Sequence, residues 1–133
     1  MGLIVFPVFR PPIPAVNPRT SGEFLGAEFA ALDRIAQTSG TVPITAFADQ
    51  RPVPDDFDGP PWELDEVLGP CEDWFSAVEG QVAFTKLARL IRERPQLAQE
   101  LESPENVAEE LDDLTRILSV AADAGSEFRL EMR

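Results

Sequence analysis

Apolar side chains recur at intervals of three and four along Ala83, Phe84, Leu87, Leu90 and Ile91, while Gln81, Thr85, Arg89 and Arg92 fall elsewhere. That is the 3.6-residue signature of a helix with one buried stripe. Ser76 stands where such a helix would begin, and Glu79 three residues later gives capping-box spacing: the serine oxygen accepts from a free backbone N–H and the glutamate reaches back. Pro95 disfavours helical angles at Arg94 and predicts the stop. A short helical turn is expected over Gln96 to Leu101. A second seam follows, with Ser103 as cap and Pro104 at the first helical position; Val107, Leu111, Leu114, Leu118 and Ala121 repeat at helical spacing until Gly125. In an antiparallel hairpin, the basic end of the first helix (Arg89, Arg92, Arg94) lies near the acidic start of the second (Glu105, Glu109, Glu110). Each charge then suits its helix dipole.

The pattern changes period at the two ends. Leu3, Ile4, Val5, Phe6, Val8 and Phe9 form an apolar, β-rich run, which predicts a strand covered on both faces. Pro7 cannot donate to a ladder, so the strand is either at an edge or bulged there. Phe128, Leu130 and Met132 alternate with Glu127, Arg129 and Glu131, the pattern of a strand with one buried face, and it is paired here with the Leu3 strand. Between them, Arg10 to Pro18 holds four prolines in nine residues and reads as an extended connector rather than a proline-rich ligand. Thr20 with Glu23 repeats the capping-box spacing, and Leu25, Phe29, Leu32 and Ala36 continue a helix to a stop at Gly40. Val42, Ile44, Ala46 and Phe47 are too brief a run to classify. A short helix is expected near Trp62, closing at Gly69. The fold class is therefore mainly helical α+β: a C-terminal helical hairpin, an N-terminal helix packed on it, and N- and C-terminal strands paired in a small sheet.

Composition adds bounds. A chain of 133 residues suits one domain, 1–133, and at this size folding buries roughly two-thirds of the unfolded surface. The net charge is −13, which opposes free diffusion onto nucleic acid or anionic lipid and favours a basic partner. The first fifty residues are near balance; the excess of acid lies beyond them. Cys71 is the only cysteine, so an intramolecular disulfide is excluded, in keeping with a reducing compartment. The Gly2 to Phe9 run lacks a basic residue ahead of it and makes a poor signal peptide, and no stretch approaches a membrane span. A soluble, cytoplasmic protein is the expectation.

The chemistry is mostly negative. Histidine is absent, which removes His-activated nucleophiles, His general bases and most zinc or iron sites; tyrosine is absent too. Lys86, the only lysine, reads as a solvated helix position. Cys71 is followed by Glu72 and Asp73, which raise a thiol's pKa, so it reads as a small filler. Asp56, Asp58, Gly59 and Asp65 match four positions of a calcium loop. However, Pro54 takes the first ligand position and Pro60 and Pro61 follow the glycine, so a solvated acidic loop is the better reading. Glu109 and Asp113 share a helix face and could do acid–base work, although acidic helix faces are usually solvated. No catalytic residue, cofactor site or metal site is assigned.

The run Trp74, Phe75, Ser76, Glu79 and Gly80, followed by a leucine-rich helix, a proline break, a second leucine-seamed helix, Ala-Gly and a terminal strand, resembles a group of small uncharacterised bacterial proteins. The resemblance covers residues 74 onward and implies a bacterial cytosolic origin, with no catalytic residues to carry over. From Pro52 to Thr85 there is no basic residue, and acids crowd beside aromatic side chains. Asp55, Asp56, Asp58, Trp62, Glu63, Asp65 and Glu66 are the candidate partner-binding residues. The expected function is a non-catalytic acidic protein-binding domain, for instance an inhibitor or immunity-type protein for a basic partner. A small-ligand-binding protein or a carboxylate-based enzyme is the alternative. Trp62 and Trp74 could equally be core.

Overall fold

The two helical seams pack on each other. The computed structural model describes residues 4–13, 19–48 and 74–132. In it Ser76 is the N-cap of a helix over Ala77–Glu93, its Oγ accepting from the Glu79 N–H at 3.3 Å. The helix ends where Pro95 predicts, with Arg94 out of helical angles. We number the elements β1 (Val5–Arg10), α1 (Glu23–Ser39), β2 (Phe75–Ser76), α2 (Ala77–Glu93), α3 (Pro95–Ala98), α4 (Pro104–Asp123) and β3 (Glu127–Met132), with a 3-10 turn over Ile44–Phe47. The start of α2 meets the end of α4 at Gly80 and Leu118, whereas Arg92 near the end of α2 bonds Asp112 in the first half of α4. The hairpin is therefore antiparallel, and it is the most extensive packing in the fold.

All five residues of the second seam, Val107 to Ala121, are buried. The first seam differs at one place: Leu90 is only half-buried, and Ala88 takes the core position beside Leu87.

The terminal strands pair as the alternation predicts, with β1 antiparallel to β3 from Val5 opposite Met132 to Arg10 opposite Glu127. The two-residue β2, which periodicity could not reveal, adds to the other side of β3, so the strand order is β1-β3-β2. Pro7 is tolerated because β1 is an edge strand. For the same reason β1 is not covered on both faces: Val5 is buried, but Phe6 to Phe9 are half-buried. Phe128 and Leu130 point into the core and Glu127 is exposed. Phe128 stacks on Phe47 at 5.3 Å between centroids and meets Phe84 edge-on at 6.2 Å, which ties the sheet, the 3-10 turn and α2 together. The 3-10 turn answers the unclassified Val42 to Phe47 run, burying Ile44 and Phe47.

Helix α1 begins differently from the expectation. Thr20 is not its cap: Gly22 is the N-cap, at φ +81°, with no side chain to offer, and the neighbouring Ser21 Oγ accepts only from the Glu23 N–H at 3.3 Å. Ser103 likewise occupies the N-cap of α4 without a capping bond from its hydroxyl. The caps come instead from acids on other helices.

Candidate functional site

Glu110 lies three residues after Val107 and three before Asp113, and it is only 2% exposed. Its Oε1 accepts from the Leu25 N–H at 2.8 Å and its Oε2 from the Gly22 N–H at 3.0 Å. Leu25 is the third helical residue of α1, the position an N-cap side chain normally serves, so a carboxylate from α4 replaces the missing local cap. Its charge also suits the positive end of the α1 dipole. The exchange runs both ways. Glu28 of α1, at a break in helical angles (φ −122°, ψ 17°), accepts from the Glu102 N–H and from the Ser103 N–H at 3.2 Å, the N–H groups of the α4 N-cap and of the residue before it. Each helix thus supplies a carboxylate to backbone donors at the other's N-terminal end.

Asp113 extends the arrangement. Its Oδ2 accepts from the Arg19 N–H at 2.9 Å and from the Thr20 N–H and hydroxyl, both at 3.2 Å. Its Oδ1 accepts from Arg116 Nε at 3.1 Å and Nη2 at 2.7 Å. These partners explain why Thr20 is unavailable as a cap.

The two acids are shifted in opposite directions overall, although burial pushes both up. Desolvation is the larger influence on Glu110 and raises its pKa, against the N–H donors of Leu25, Gly22 and Phe24; the nearby Glu23 charge raises it further. Burial also pushes Asp113 up, but the Arg116 bond and the Arg19 and Thr20 donors outweigh it and hold Asp113 below the usual carboxylate range.

Both acids line a recess of about 360 Å³ between β1, residues 20–25 and α4. Val5, Pro7, Phe9, Leu25, Leu114 and Ile117 supply its apolar wall. That volume falls within the range of small-molecule sites. As a catalytic pair the carboxylates are poorly placed, since every carboxylate oxygen already accepts from a protein donor. The Glu109 and Asp113 pairing on one solvated face does not form: Glu109 is exposed and Asp113 buried.

The seven candidate partner-binding residues, Asp55, Asp56, Asp58, Trp62, Glu63, Asp65 and Glu66, lie outside the described residues, as do the calcium-like loop and Cys71. Trp74 is half-buried, with the guanidinium of Arg10 at 4.9 Å and that of Arg129 at 4.6 Å from its ring centroid. Lys86 is exposed. Among the described residues no three His, Cys, Asp or Glu side chains are grouped to hold a metal ion, and no helix is long and apolar enough to cross a membrane. Comparison with protein-family models, curated proteins and solved structures gives no match.

Proposed function

We propose that the protein is a non-catalytic binding domain whose acidic surface meets a basic protein partner, as an inhibitor or immunity-type protein does. The supporting observation is how its acids are distributed. The carboxylates of Glu28, Glu110 and Asp113 are committed to backbone donors, while Glu105, Glu109 and Asp112 line the exposed edge of α4. That edge already acts on a cation of its own chain: the hydrogen bond from Arg92 to Asp112, joined by the charges of Glu109 and Glu105, holds the Arg92 guanidinium even more firmly protonated than usual. With a net charge of −13, such an edge steers a basic surface toward it. The acidic and aromatic stretch containing Asp55, Asp56, Asp58 and Trp62 offers the anchors that an interface centre uses.

The test is kinetic. A partner recovered by co-purification from the native host is titrated against wild type, against the Asp55→Asn, Asp56→Asn, Asp58→Asn triple variant, and against Glu105→Gln with Glu109→Gln. The expected result is association slowed about tenfold or more between low and physiological salt, and slowed by either set of changes at low salt with thermal stability nearly unchanged. Association indifferent to ionic strength and to both sets would overturn the reading.

A further inference from the structure

The recess beside Glu110 carries a different inference, independent of the outer edge of α4. Its wall is apolar, its floor holds two acids that are 2% and 6% exposed, and Ile117, though buried, stands outside the main core cluster and faces this space. A carboxylate has about four acceptor sites. Glu110 accepts from the Gly22 and Leu25 N–H groups, one on each oxygen, and from the Phe24 N–H, which leaves about one acceptor site at the floor. The guanidinium of Arg116 is bonded to Asp113, not to Glu110. Among the described residues the charge acting on Glu110 is that of a further acid, Glu23, and its donors are neutral N–H groups.

We propose that this recess binds a small organic cation, a primary ammonium on an apolar body, with the ammonium at Glu110, since Asp113 is already paired with Arg116, and the body against Val5, Phe9, Leu25 and Ile117. An ammonium brings a positive charge and a donor for the acceptor site that remains on Glu110. The apolar body removes from water a surface that the wall already matches. An anion would meet two carboxylates, and a neutral alcohol would bring one weaker donor. Binding closes the junction of β1, residues 20–25 and α4, so it also stiffens the α1 N-terminus.

The probe is n-hexylammonium, titrated at pH 7 and fixed ionic strength into the isotopically labelled protein, with 1-hexanol and hexanoate as controls. Backbone amide shifts are the readout. The expected result is saturable shifts concentrated at Gly22 and Leu25, with 1-hexanol binding about tenfold more weakly or less, as loss of a charge-assisted hydrogen bond implies, and hexanoate giving no saturation. Ile117→Phe, which fills the recess from α4 and leaves both acids in place, should abolish the saturable response while the rest of the spectrum stays folded. Equal binding of 1-hexanol, shifts centred elsewhere, no saturation, or an undiminished response in folded Ile117→Phe would each overturn the proposal. Should that variant fail to fold, the ratio between hexylammonium and 1-hexanol decides alone.

Discussion

A Cβ added at Gly80 would stand 2.5 Å from Cζ of Phe128 and 2.9 Å from a methyl of Leu118. Both neighbours are fully buried. In an open helix, alanine for glycine gains up to about 1 kcal/mol. Here overpacking, about 1 to 3 kcal/mol, works against that gain. Gly80→Ala is therefore expected to lower the denaturant midpoint despite the better helix propensity, and a midpoint raised above wild type would show that the Phe128 ring can move aside. Gly22 is fixed more rigidly still: at φ +81° its Cβ would lie 2.0 Å from the Val5 carbonyl oxygen, which is backbone and accepts no adjustment. In the sequence Gly80 is simply a glycine inside a helical pattern, because its neighbours Phe128 and Leu118 arrive from elements that local spacing cannot position.

The elements themselves were largely readable. Caps and stops written into adjacent residues, such as Ser76, Pro95 and Gly40, are local, and the helices end where those residues place them. What could not be read is what depends on distant residues. The α1 cap is Glu110, eighty-five positions from Leu25, so the local Thr20 and Glu23 spacing was a false signal. One clue did exist: Glu110, Leu114, Ile117 and Ala121 are themselves at helical spacing, which places the acid on a buried stripe. The two-residue β2 escapes any periodicity argument, yet it makes β3 the central strand. Phe128→Ala should consequently do more than empty a core site. A loss of about 3 to 5 kcal/mol is expected from the ring alone, and amide exchange should accelerate together in β1 and β2, because both pair with β3. Unchanged exchange in β1 would show that the edge strand is held by something other than this ladder.

At the scale of the whole molecule, stability against pH reflects 24 acids facing 11 bases, and protonation on acidification relieves self-repulsion across the surface. Difference measurements isolate the two buried acids from that background. Asp113 has a lowered folded pKa, so its contribution is present above the unfolded aspartate value of about 3.9 and is lost as pH falls through the folded value. Glu110 has a raised folded pKa, so its contribution is fully present below the unfolded glutamate value of about 4.3 and is lost as pH rises through the folded value. The stability advantage of wild type over Asp113→Asn should therefore grow as pH rises from the acid end. Its advantage over Glu110→Gln should shrink as pH rises from about 4.3 toward neutrality. Denaturant midpoints of the three proteins, taken across the acid range at constant salt, measure both slopes. Opposite signs follow only if one buried acid is well compensated and its neighbour on the next turn is not. Slopes of the same sign would mean that Glu110 is answered by a positive charge after all, and the recess would then have no vacancy for a cation.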